Sequence, residues 1–347
     1  AKASGSTSKS LRKRINGYSY VAQLPEDSHV SCDERTDPDV VASTRERWDK
    51  EFLPVIQSDL QYMKSVPLAS ESDTDLLKRL DEFLEIHRLH WHFHFLVVIP
   101  ISVAAEKVAC LYKQVKPDVS EQEPYELFQG LDNQSLKVDR SLMRLAEEAS
   151  RVSEVRSIIT SEVDISEILS LLKNCRGGRL FLKSMDIFLT KYGYRPTGFD
   201  YVYPSWIEDP SFVIMNIRSY LLGKPRNLKN EQAEQNVRAR TLLADILGVL
   251  GADISKRVEF LDAHQTTKDL WPLKEDHAFY IDQGSSSVIR ILIAEMGKRL
   301  VKRNVLAVGD DVFYLDLNEL KINMASANPC RMLESVAERK VERQKFM

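Results

Sequence analysis

The sequence has little of what nucleotide- and metal-handling motifs are made from. Its 347 residues hold only 13 glycines and 4 cysteines. No G-x-G-x-x-G and no G-x-x-x-x-G-K-[ST] run occurs. The Gly-Lys pairs at Gly223 and Gly297 lack the upstream glycine, so a self-contained phosphate cradle is not written in this chain. G-x-S-x-G and H-E-x-x-H are missing as well. Cys32, Cys110, Cys175 and Cys330 lie far apart, with no Cys or His at ligand spacing. That excludes a zinc ribbon, argues against a disulfide framework, and predicts buried thiols in a cytoplasmic protein. An excess of one charge is lacking too. Lys and Arg number 48 against 51 Asp and Glu, a net charge of −3, so a nucleic-acid partner is not expected. The longest uncharged apolar run, Phe93 to Ala105, contains His94 and Pro100 and falls short of the roughly 20 residues of a membrane span. No membrane partner is expected either. The start of the chain is polar and rich in Ser, Gly and Lys. It reads as a loose tail over 1–14 rather than a signal peptide, and Ala1 in place of Met suggests a trimmed or excised chain.

What is present is apolar periodicity. At 43% hydrophobic residues the chain can build a sizeable core, and its length suits one large domain or two ordinary ones. Asp37-Pro38 reads as an N-cap with proline at the first helical position. Trp48, Phe52, Val55, Ile56, Leu60 and Met63 then recur at three- and four-residue steps, an amphipathic helix kinked at Pro54. Ser72-x-x-Asp75 resembles a capping box opening a second helix, whose apolar face continues into His87, His90, Trp91 and His94. Further helices are expected over Leu96–Val115, Asp132–Ser153, Ser166–Tyr192, Ser211–Leu222, Glu231–His264 and Glu275–Lys302. Two β features are expected, a hairpin turning at Asn16-Gly17 and a short strand or turn over Asp310–Leu315. The fold class that follows is mainly α: a multi-helix bundle enclosing a small-molecule pocket, with minor β elements. A helical subdomain over 15–192 and a connector plus second helical subdomain over 193–347 are expected to form one substrate-binding unit.

Four clusters carry chemistry-bearing side chains. His87, His90 and His94 share one helical face and suit either a hydrogen-bonded pocket wall or a metal. Glu275, Asp276, His277, Tyr280 and Asp282 form a donor and acceptor set of the kind acid–base work uses, although the two acids also suit a first helical turn. The connector 192–210 mixes Arg195, Asp200, Trp206 and Glu208, as a cavity wall or as a loop fixed by an Arg195–Asp200 or Arg195–Glu208 ion pair. Gln129, Gly130 and Asn133 fit a substrate contact or simple turn and cap chemistry. Asp310-Asp311 is similar to an aspartate-rich magnesium motif of helical terpene cyclases, but its Phe-Tyr-Leu setting is not a helix face.

At these same residues the chain resembles a known family. The runs Y-E-L-F-Q-G-L-D-N-Q-S-L-K-V-D-R-S-L (125–142), F-L-T-K-Y-G-Y-R…P-S-W-I-E-D-P (188–210), K-E-D-H-A-F-Y-I-D-Q (274–283) and G-D-D-V-F-Y-L-D-L-N-E-L (309–320) are similar to the central helical region of phosphoenolpyruvate-utilising phosphotransferases, the rifampin phosphotransferases above all. The resemblance implies three cooperating modules: an ATP-grasp portion, a helical portion that binds a small molecule, and a swivelling portion whose histidine carries the phosphate. Only the helical portion is matched here. Lys274 and Tyr194 stand where the family usually has Arg and His.

Two readings follow. In the first, the chain is a substrate-binding module for an apolar, hydroxyl- or carbonyl-bearing molecule, unable to transfer phosphate alone, and either cut from a longer phosphotransferase or working with separate ATP-grasp and phosphohistidine modules. In the second, it is a metal-independent enzyme of specialised metabolism, a lyase, isomerase or cyclase. His277 then serves as acid or base, and Asp276 or Glu275 orients it. In both, His87, His90, His94, Gln129, Asn133, Arg195, Asp200, Trp206, Glu208 and Tyr280 contact substrate, and no cofactor or metal is expected.

Overall fold

Apolar residues at helical spacing dominate the chain, and helix is what they form. The computed structural model describes residues 10–15, 18–23, 38–198, 200–223 and 227–345. Residues 1–9 of the tail expected over 1–14, the Asn16-Gly17 turn, Cys32 and the Asp37 cap lie outside these. The helices are α1 (Pro38–Arg47), α2 (Leu53–Ser65), α3 (Asp73–Val115), α4 (Gln134–Arg151), α5 (Ser153–Thr160), α6 (Ile165–Asn174), α7 (Arg176–Tyr192), α8 (Ser211–Leu222), α9 (Leu228–Leu250), α10 (Ile254–Leu270), α11 (Leu273–His277), α12 (Ser286–Lys302), α13 (Leu317–Ala325) and α14 (Leu333–Gln344). The backbone at Ser10–Ile15 pairs antiparallel with Tyr18–Gln23.

Several boundaries differ from the periodicity reading, each for a local reason. The interruption expected at Pro54 is a π-helical turn over Trp48–Phe52, which leaves Pro54 in the first turn of α2, where its missing N–H costs nothing. Ser72 does cap the next helix, accepting from the Asp75 N–H at 3.1 Å. That helix runs on through Pro100, so two expected helices are one of 43 residues. By length and composition α3 is apolar enough to cross a membrane, which the 93–105 run alone did not indicate. Its Leu76, Leu80, Phe83, Val97 and Val108 are nevertheless fully buried. Between the helices expected over Asp132–Ser153 and Ser166–Tyr192 the structure has a further helix, α5. The helix expected over 231–264 breaks at Gly251, whose φ is +56°, and restarts where the Asp253 carboxylate caps the Lys256 N–H at 3.1 Å. Of the strand or turn expected over Asp310–Leu315 the structure has the turn: Gly309–Tyr314 is 3₁₀. Cys175 is half-buried and Cys330 exposed, both free, so the expectation of buried thiols fails for these two.

The chain divides into two compact units. One comprises Ala1–Trp48, Leu96–Leu131 and Asn230–Lys274; the other Asp49–Phe95, Asp132–Lys229 and Glu275–Met347. In the first, Val108 and Tyr112 of α3 pack with Leu127, Phe128, Ile246, Phe260 and Ala263. Gly130 takes a left-handed φ of +78° there, and its carbonyl accepts from Gln232 Nε2 at 2.8 Å. In the second, α4 to α8 bury Leu142, Phe181, Met185, Phe188, Trp206 and Ile214 around one core. Each such side chain contributes on the order of 1.5–3 kcal/mol when fully buried.

Candidate functional site

The helix α3 presents His87, His90 and His94 as expected, but each meets a different partner within the second unit. The Trp91 indole N–H donates to His87 Nε2 at 2.8 Å. Indole nitrogen only donates, so Nε2 is the bare nitrogen, and the proton on Nδ1 donates to Ser285 Oγ at 2.6 Å. Burial pushes His87 down to about 4, with His90 adding to the effect and Asp282 opposing it. His90 is fully buried and Nε2–H donates to Asp59 Oδ2 at 3.0 Å. Burial lowers its pKa against the pull of that carboxylate, and its Nδ1 has no hydrogen-bond partner among the described residues. His94 donates from Nδ1 to Asp282 Oδ1 at 2.9 Å and packs edge-on to the buried His277 ring at 4.8 Å between centroids.

Asp282 and Ser285 reach α3 from an unusual element. Residues Ala278–Ser285 form a π-helical segment joining α11 to α12. The wider turn rotates successive side chains away from the α-helical pattern, a deviation frequent at functional sites. The acids just before it are committed elsewhere. Asp276 accepts from the Gln134 N–H at 2.8 Å and Glu275 from the Ser135 hydroxyl at 2.7 Å, while Asn133 accepts from the Leu136 N–H at 3.0 Å. The orphan donors at the start of α4 are thus satisfied partly by its own cap and partly from across the unit.

The connector contains neither of the ion pairs expected of Arg195. Glu208 instead accepts from the Ser205 N–H at 3.0 Å and pairs with the buried Arg290, while Asp200 pairs with Arg343. Turn geometry and two arginines from later helices take both carboxylates. Arg195 lies over the Trp206 ring at 5.2 Å, and burial lowers its pKa against the fields of Asp139 and Glu275. Trp206 itself is a core residue, stacked on Phe212 at 5.2 Å.

Two cavities flank the π-helical segment. One, of about 250 Å³, is lined by His87, Arg195, Asp200, Tyr201 and Asp282, together with Arg290. The other is larger, about 520 Å³, and was not anticipated. Leu60, Phe279 and Gly284 give it an apolar wall; Gln57, Gln61, Lys64, Gln134, Lys191 and Tyr194 give it polar groups. Tyr280 OH accepts from Gln134 Nε2 at 3.2 Å and from Gln57 Nε2 at 3.4 Å. The Lys64 ammonium lies 3.9 Å above the Tyr194 ring, and desolvation there lowers its pKa although the residue as a whole is exposed.

Residues 94–275, more than half of the chain, match the family described as the rifampicin phosphotransferase fourth domain. The chain belongs to this family. Chondramide synthase cmdD of Chondromyces crocatus is 29% identical over 283 residues, covering 79% of this chain and 7% of the synthase. The uncharacterized phosphotransferase YvkC of Bacillus subtilis is 25% identical over 290 residues, covering 83% of this chain and 34% of that protein. The chain therefore spans a small part of one relative and about a third of the other.

Within this fourth-domain relative, the sequence-derived residues separate clearly. His87, Arg195 and Asp200 meet at the smaller cavity, and Tyr280 lines the larger one. His94 and His277 pack together, and Glu275, Asp276 and Asn133 gather at the start of α4. Gln129 belongs to the other unit. Sequence reasoning missed Gln57, Gln61 and Lys64, although they recur at i, i+4 and i+7 as one polar stripe of α2. It also missed Asp59 and Arg290, whose roles depend on partners far along the chain.

Proposed function

We propose that the chain is the substrate-binding part of a phosphotransferase-like system and holds a largely apolar, oxygen-bearing small molecule. The observation that carries this reading is the 520 Å³ cavity. Its volume falls within the roughly 300–1,000 Å³ usual for small-molecule sites, whereas the 250 Å³ cavity falls below it. Leu60 and Phe279 would take the apolar body of the ligand. The amides of Gln57, Gln61 and Gln134 and the ammonium groups of Lys64 and Lys191 would hold its carbonyl and hydroxyl oxygens. Phosphate chemistry would come from separate ATP-grasp and phosphohistidine modules in the cytoplasm.

The anilinonaphthalene sulfonate dye, an aromatic body with one anionic group, tests the cavity directly. Fluorescence titration should give saturable one-site binding. Lys64→Ala should weaken it several-fold, and Gln61→Trp, which fills the space from an exposed helix position, should abolish it without changing the circular dichroism melt. Titrations unchanged in both variants would reject the cavity as the binding site. Rifampicin, the compound in the family's name, is the first competitor to try against the dye.

A further inference from the structure

We infer that His94, His277 and Asp282 form a binding site for one divalent first-row transition ion, a property that goes beyond holding an organic ligand. The three residues come from three elements, α3, α11 and the π-helical segment, and their ligand atoms all lie within 4.8 Å of one another. Two imidazoles and one carboxylate are a donor set suited to zinc, iron(II) or cobalt(II), and too rich in nitrogen for magnesium or calcium.

Geometry supports the assignment in three ways. First, the site is shielded: His277 is 3% exposed, and the side chains of His94 and Asp282 are 13% and 20% exposed. An ion bound there competes little with bulk water. Second, His94 Nδ1 and Asp282 Oδ1 already face each other at 2.9 Å. With bonds near 2.1 Å, ligand atoms around a tetrahedral ion stand about 3.4 Å apart, so side-chain rotations of about 1 Å complete the set. On binding, neutral His94 takes the tautomer protonated on Nε2, its Nδ1 lone pair turns to the ion, and the contact that the Nδ1 proton bridged becomes a shared ion. Third, three protein ligands leave coordination positions for water or a ligand group. Asp282 also lines the smaller cavity, where Ser287 Oγ and Arg290 Nε are buried without hydrogen-bond partners among the described residues. That cavity borders the site at Asp282 and has room for a further metal-bound group.

The purified chain, stripped with chelator and titrated with cobalt(II), should take up about one ion per chain and develop visible ligand-field absorption. Asp282→Asn, which keeps the side-chain shape, should weaken cobalt binding by at least 100-fold, and His94→Gln similarly. His92→Gln, on an exposed residue of the same helix, should bind as wild type. His277→Ala is the least secure variant because the ring is buried, so its melt must be checked first. Uptake that survives both Asp282→Asn and His94→Gln would overturn the site, as would the absence of uptake by folded wild type at millimolar cobalt. Dye binding in the larger cavity is an independent readout, so loss of one property does not imply loss of the other.

Discussion

At the scale of single residues, His87 illustrates how a side chain of ordinary pKa becomes a fixed neutral group. The unfolded chain protonates it near 6.5, whereas in the fold the indole N–H of Trp91 occupies Nε2 and burial pushes its pKa to about 4. The sign follows: a folded pKa below the unfolded one means that acid favours the unfolded state. Stability contributed above pH 6.5 is lost as pH falls from about 6.5 to about 4, and is constant below that. The upper bound is about 3 kcal/mol, less whatever water reaches the partly buried ring. Urea unfolding at pH 7, 5.5 and 4.5 should therefore show a shallower pH dependence for His87→Gln than for wild type. Parallel curves would show that His87 already titrates normally in the fold. The histidine face itself was legible in the sequence, because spacing fixes which residues share a helix face. What each histidine touches was not: Asp59, Ser285 and Asp282 lie far from α3 in sequence, and no local pattern pairs them.

At the scale of elements, periodicity located most helices, while their boundaries depended on backbone contacts that spacing does not encode. The break between α6 and α7 is a case. Ser166–Tyr192 reads as a helical stretch that Gly177-Gly178 starts or bends, and the turn falls at Cys175, whose Sγ accepts from the Gly178 N–H at 3.2 Å. Gly178 is there because a Cβ would stand 2.1 Å from the Leu172 carbonyl oxygen and 2.6 Å from its Cα. Gly248, inside α9, has nothing within 4 Å of the same position. The two glycines should respond oppositely to alanine. Gly248→Ala should stabilise the protein by about 0.5–1 kcal/mol through helix propensity alone. Gly178→Ala should destabilise it by about 2 kcal/mol or more, since the obstacle is backbone and cannot swing aside. Denaturant midpoints of the two variants settle the matter, and a harmless Gly178→Ala would mean that α6 and α7 can separate.

At the scale of the whole molecule, the family was legible from four short runs of sequence, and the cavity was not. The runs sit where chemistry and turns concentrate. The larger cavity is built from the polar stripe of α2, the end of α7 and the π-helical segment, which meet only in three dimensions. The match to part of two longer relatives bears on how this chain would work. Phosphoryl transfer requires groups that cradle the donor phosphates and the cation bridging them. The Gly-rich loop with Lys that would do so is absent from these 347 residues, and the cavity described above is walled by amides, aromatic rings and two lysines. On the binding-module reading, the chain alone, given radiolabelled ATP, magnesium and rifampicin, should label neither itself nor the antibiotic. The informative contrary result is an alkali-stable, acid-labile label on the chain, the signature of phosphohistidine. Such a label would mean that one of the seven histidines accepts phosphate directly, and the binding-module reading would give way to that of a complete transferase.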